Sequence, residues 1–326
     1  MEVFRTVVPC PEIPRPLSHS DSILMLGSCF AENIGSFLKD NLFNVNINPT
    51  GTLYNPLSLS SAVQRIIEGE EYKEEDLFFH NGLWRSFDHH SRFSMPDKYS
   101  TLSNINRHLS SAHEQSKACD VLVITLGTAY VYRKRDTGRT VSNCHKLPGS
   151  NFKREPASVP DIKHALSSAI DKFLQIRPSL RIIATVSPIR HLRDNPHENS
   201  VSKSRLICAL DELQGDFGSI FYFPSYEILL DELRDYRFYA PDMAHPSETA
   251  VQYICDRFTH SCLNRESALF IKDYEAVRKS FSHSLKNTTG EDRGELKEFI
   301  GKRLDEIEKK YSSVDLSTAR QRLINF

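Results

Sequence analysis

The chain predicts an α/β fold, a three-layer α/β/α sandwich on a mostly parallel five-stranded sheet, followed by a C-terminal helical extension. Two observations carry this. Short β-rich apolar runs recur as ILMLG (23–27), FNVNI (43–47), VLVITLG (121–127), RIIATVS (181–187) and SIFYF (219–223). Between them lie segments with apolar residues near i, i+3 and i+4. Strands alternating with helices form parallel sheets covered on both faces.

The elements follow in order. ILMLG closes on Gly27, and Ser28 and Cys29 open the helical pattern ENIGSFLKD. FNVNI leads through NPTGTLYNP into PLSLSSAVQRIIEG, with Asn55-Pro56 as a helix entry. Residues 70–100 mix aromatics with His80, Trp84, His89 and His90 and break the alternation. SNINRHLSSAHEQ then precedes VLVITLG. Residues 133–160 read as a hairpin around Asp136-Thr137-Gly138 with a Pro-rich exit. Both irregular stretches are expected as insertions over the edge formed by the strands' carboxyl ends, where ligands of such sheets bind. DIKHALSSAIDKFLQIR and SKSRLICALDELQ complete the alternation. An α/β domain over 1–265 and a charged helical extension over 266–326 are thus expected. In the extension Leu296, Phe299, Ile300, Leu304, Ile307 and Tyr311 form one helical stripe, which docks on its own domain or, in a homo-oligomer, on a second copy.

Composition narrows the function classes. Lys and Arg number 41 against 42 Asp and Glu, a formal net charge of -1, so no global field favours nucleic acid or an anionic membrane. No apolar run approaches the roughly 20 residues that span a bilayer, and the N-terminal stretch lacks a basic, then apolar, leader pattern. A cytoplasmic protein is expected. The seven cysteines, at 10, 29, 119, 144, 208, 255 and 262, lack paired zinc-site spacings. Neither they nor the histidines at 80, 89 and 90 suggest a metal, and no cofactor is expected.

Chemistry concentrates at two places. Ser28 sits just beyond a buried strand, on the first turn of a helix whose N–H groups and dipole would favour an oxyanion. A hydroxyl there is equally a helix cap. Near the end of the α/β region, YRFYAPDMAHPSETAVQYICDRF holds Asp242 and His245 three apart before a helix. A carboxylate so spaced in a loop takes the imidazole Nδ1–H and turns Nε2 outward as a general base. A turn-forming aspartate beside a capping histidine would carry the same pattern.

These residues resemble a known group. Gly27-Ser28-Cys29-Phe30-Ala31, with NPTGTLYNPLSL (48–59), VITLGTAYVY (123–132), NCHKLP (143–148), TVSPIRHLRD (185–194) and YFPSYEILLDELRDYRFYAPDMAHPS (222–247), is similar to the blocks of the GSCFA family, within the SGNH (GDSL-type) hydrolase superfamily. The resemblance covers roughly 20–260. It implies a flavodoxin-like sandwich, a triad of Ser28, His245 and Asp242, and hydrolysis of a small or carbohydrate-linked acyl ester. Transfer of the acyl group by the same triad, or a carbohydrate-binding module with a decayed site, are the alternatives.

The superfamily's oxyanion hole uses the nucleophile's own N–H, a glycine N–H and an asparagine amide. Gly51 matches the glycine's place. Gly127-Thr128-Ala129 stands where Gly-x-Asn is expected, so the amide donor is missing there and Asn143 is the expected substitute, with Thr128 a further candidate. Cys29, intrinsically the better nucleophile, is read as a small, mostly buried residue, since adjacent side chains at such a turn diverge and the family places catalysis on serine. Asn55, His145, Arg190, Tyr226, Glu227 and Arg237 complete the pocket candidates, the arginines as binders of carboxylate, phosphate or sugar or as members of an Arg–Asp network.

Overall fold

The computed structural model describes residues 5–283 and 290–325; parts of the expected domain and extension, at 1–4, 284–289 and 326, lie outside the described residues. The central sheet contains β1 (Ser22–Gly27), β2 (Asn44–Ile47), β5 (Val121–Leu126), β9 (Arg181–Val186) and β10 (Ile220–Tyr222), in the order β10-β9-β5-β1-β2 and parallel throughout. Each expected apolar run supplies one of these strands. β1 lies between β5 and β2, and Leu24 and Leu26 face one hydrophobic layer and Ile23 and Met25 the other. Chain order reverses between β1 and β5, and residues leaving the carboxyl end of β1 emerge at that switch point.

Helices cover both faces: α1 (Cys29–Asp40) and α7 (Glu248–Cys262) on one, and α2 (Pro56–Glu68), α3 (Lys98–Lys117), α4 (Val159–Ile176) and α5 (Pro196–Asp216) on the other. Asn55 caps α2, its Oδ1 accepting Ser58 N–H at 2.8 Å, and the Pro56 that follows has no N–H to leave unsatisfied. After β10 comes α6 (Ser225–Glu227), one turn continued by a π-helical stretch over Ile228–Glu232.

The two insertions form small sheets of their own and join where Ser142 N–H donates to Phe87 O at 2.9 Å. In the first, β3 (Leu77–His80) and β4 (Leu83–Ser86) pair antiparallel about Asn81-Gly82, both at positive φ as the tight hairpin turn requires. In the second, β6 (Tyr130–Lys134) and β7 (Thr140–Val141) form the expected hairpin, and β8 (Phe152–Pro156) adds a third strand on the far side of β6.

The extension contains α8 (Arg265–His283), α9 (Gly290–Lys310) and α10 (Ser317–Ile324). Ile300, Leu304 and Ile307 of α9 and Tyr311 just beyond it pack on Phe270, Tyr274 and Val277 of α8, so the stripe is covered by the chain's own helices. Phe299 departs from the expected stripe: it is 44% exposed, one position out of phase with Ile300. His19 joins extension to sandwich, stacking on Phe43 at 3.9 Å and meeting Phe270 edge-on at 4.6 Å. The N-terminal segment also runs along the end of α7, where Ile13 N–H donates to Ser261 O and Leu17 N–H to Cys262 O, both at 2.8 Å.

No described helix is long and apolar enough to cross a membrane.

Candidate active site

The turn leaving β1 is shaped by Gly27. A side chain there would have to sit at φ +143°, with its Cβ 2.1 Å from the carbonyl oxygen of Thr125. Glycine therefore lets the turn lie against β5 and delivers Ser28 and Cys29 to the switch point.

The two residues diverge. Ser28 is the N-cap of α1, and its Oγ accepts Phe30 N–H at 3.3 Å while lying 3.1 Å from Thr125 Oγ1. Its own N–H donates to Thr125 O and Oγ1, at 3.1 and 3.0 Å, and the residue is 1% exposed. Cys29, the first helical residue, is half-buried and turns outward: Sγ lies 3.9 Å from His245 Nε2. It is thus Cys29 Sγ that approaches the imidazole, while the helix end's need for an acceptor holds the Ser28 hydroxyl as its cap.

His245 is oriented from behind. Its Nδ1 lies 2.6 Å from Asp242 Oδ2, and the backbone N–H groups of His245 and Ala244 donate to Asp242 Oδ1 at 2.9 and 3.0 Å. Those donors, the two backbone bonds first, hold the Asp242 carboxyl down at about 2. An ionised Asp242 fixes Nδ1 as the protonated nitrogen and leaves Nε2 free to accept. Both side chains are about half exposed, at 52% for His245 and 47% for Asp242.

Burial raises the Cys29 thiol above its ordinary value, outweighing the N–H groups of Cys29 and Phe30 and the Lys203 charge, which pull the other way. The resting group is therefore a protonated thiol that needs a base. A pocket of about 260 Å³ opens over it, lined by Ser28, Cys29, Tyr54, Ser187, Arg190, His191 and His245 among others.

Three lining or supporting residues carried no functional signal in the sequence. Tyr54 and His191 meet edge to face at 5.5 Å, and burial pushes His191 down to about 4, leaving it neutral. Beneath them Lys203 of α5 is fully buried and its Nζ donates to Gly127 O and Ser187 O, both at 2.6 Å. It holds together the ends of β5 and β9, and burial lowers it to about 7. A lysine in an amphipathic helix reads as solvated, which is why Lys203 drew no notice.

Most expected donors lie elsewhere. Gly51 N–H closes a turn on Asn48 O at 2.8 Å, and Gly51 is required because a Cβ would fall 2.2 Å from that of His90. Asn143 Oδ1 accepts His145 N–H at 2.8 Å, in a neighbouring cavity with Cys144. Thr128 donates its N–H to Tyr54 O at 2.9 Å and places Oγ1 3.1 Å from Ser202 Oγ. His145 is buried with Nε2 2.7 Å from Ser86 O. Glu227 accepts the Tyr222 hydroxyl, Tyr226 packs against the core, and Arg237 pairs with Asp235 at 3.6 Å. Of the pocket candidates, Cys29 and Arg190 line the pocket; Gly51, Asn55, Thr128, Asn143, His145, Tyr226, Glu227 and Arg237 do not.

No group of three or more metal-ligating side chains occurs among the described residues. The model of the GSCFA family matches residues 22–258 of the chain. No curated protein matches it.

Proposed function

The chain belongs to the GSCFA family, and from that premise we propose that it is a cysteine-dependent acyl hydrolase related to the SGNH superfamily, with Cys29, His245 and Asp242 as its triad. The observation that carries this reading is the 3.9 Å approach of Cys29 Sγ to an imidazole that Asp242 already orients. Bound hydrogen-bond geometry in such sites tightens when substrate arrives.

In this reading Cys29 Sγ attacks the acyl carbonyl carbon of an ester or thioester as His245 Nε2 takes the thiol proton. The carbon–sulfur bond forms and the carbonyl π pair moves to oxygen, next to the N–H groups that begin α1. Collapse breaks the bond to the alcohol or thiol leaving group, which takes the proton from His245. Water then attacks the thioester with His245 as base, and the carboxylic acid departs as Cys29 is reprotonated. Ionised Asp242 stabilises the imidazolium at each proton transfer. Neutral His191 and Tyr54 bound the pocket and keep the acyl end partly desolvated.

Iodoacetamide followed by peptide mapping tests this. Alkylation of Cys29 is expected to abolish turnover of a short acyl thioester, while labelling of the exposed Cys208 leaves it intact. Full turnover with Cys29 completely alkylated, or a fluorophosphonate adduct on Ser28 that alone inactivates, would overturn it.

A further inference from the structure

The Cys29 pocket does not stand alone. Arg190, His191 and Leu192 also line a second cavity, of about 1010 Å³, which extends toward Asn195 at the start of α5 and toward Arg234 and Tyr236. The small pocket suits a short acyl group, and the large one a bulky remainder of the same molecule.

The charge on the second cavity is uncompensated. Arg190, Arg193 and Arg234 line it. Arg190 and Arg234 make no hydrogen bond or ion pair among the described residues, and Arg193 donates only to the hydroxyl of Tyr132. The two carboxylates on the same wall are committed elsewhere, Asp194 to Arg154 and Asp235 to Arg237. A guanidinium left without a carboxylate beside a reactive pocket is a fork of donors matched to phosphate oxygens. Three of them ask for more than one negative charge.

We propose that this cavity binds the phosphate-bearing half of the acyl substrate, seating a phosphate or pyrophosphate group on Arg190, Arg193 and Arg234 while the acyl carbonyl reaches Cys29. The assignment rests on the reading of Cys29 as nucleophile, and Arg190 is the residue common to both halves. It places the enzyme's substrate among phosphorylated acyl esters or thioesters rather than neutral ones.

Calorimetry with inorganic pyrophosphate on the Cys29→Ala protein tests the anion site without turnover. Binding is expected, weakened about tenfold by Arg190→Gln and by Arg234→Gln and unchanged by Arg107→Gln on α3. No binding at low salt, equal losses from all three substitutions, or malonate binding as tightly as pyrophosphate would overturn the phosphate assignment. In the unsubstituted protein, pyrophosphate should also slow iodoacetamide labelling of Cys29 in proportion to its occupancy. Robust Cys29 labelling and thioester turnover with no pyrophosphate effect would remove the anion site and leave the triad. Pyrophosphate binding without Cys29-dependent turnover would remove the acyl substrate and the triad together.

Discussion

The inner and outer halves of the site are built on opposite terms. Inside, Ser28, Thr125 and Lys203 are buried polar groups joined by hydrogen bonds to one another or to the ends of β1, β5 and β9. Outside, Cys29, His245 and Arg190 border a pocket, with Asp242 behind His245, and only Asp242 is tied down by backbone donors. The division separates groups that fix geometry by spending their hydrogen bonds within the protein from groups that keep a face open toward the pocket, as the proposed chemistry requires. It also separates two kinds of mutational damage.

The sharpest break is between neighbours. Cys29→Ala is expected to lower thioester turnover by at least about 10³-fold with little change in unfolding midpoint, while Ser28→Ala keeps turnover within about tenfold and loses about 1–2 kcal/mol as a cap and a buried bond disappear. Paired kinetics and urea denaturation check this; the opposite pattern would reverse the roles of inner and outer halves.

Acid is expected to act on buried imidazoles next. His191 is held down to about 4 and His89 to about 3, both chiefly by burial, and burial also lowers His19. An unfolded histidine titrates near 6.5, so below that pH the unfolded chain binds protons that the folded one refuses. The stability they confer is complete above about pH 6.5 and drains away as pH falls toward 4 and then 3. At pH 5 the loss is about 2 kcal/mol for each of His89 and His191, read as a fall in melting temperature between pH 7 and 5. A melting temperature that does not move would mean those rings are charged in the fold.

Lys203→Met is expected to cost about 2 kcal/mol because the carbonyls of Gly127 and Ser187 lose a buried donor. Its signature is a loss of stability measured in urea accompanied by a looser Cys29 pocket, seen as a higher KM for acyl thioesters. A fully stable Lys203→Met protein with unaltered KM would move Lys203 out of the supporting network.

The sequence showed the sheet because each core strand lies in a short run rich in apolar residues, visible without tertiary context. It hid β8, whose FKREP is polar and becomes a strand only by pairing with β6. Phe299 fell on the expected stripe because a helical pattern tolerates one step of phase, and burial chose Ile300 instead. Asp242 and His245 were legible since three residues of loop suffice to join them. The approach of Cys29 to the imidazole was not, because it depends on which side chain the end of α1 recruits. Gly51 and Asn143 matched expected blocks, yet one is glycine to admit His90 and the other shapes its own turn. Lys203 and His191 joined the site only through the fold that buried them.

The partners Cys29 and His245 are 216 positions apart along the chain. At translation speeds of roughly 5–20 residues per second, the thiol leaves the ribosome some ten to forty seconds before its base exists. The N-terminal segment that pairs with residues 261–264 is likewise left waiting until nearly the whole sandwich has been synthesised. On the proposed reading, a nascent chain therefore carries an unpartnered nucleophile through most of its manufacture, and becomes chemically competent only at the end.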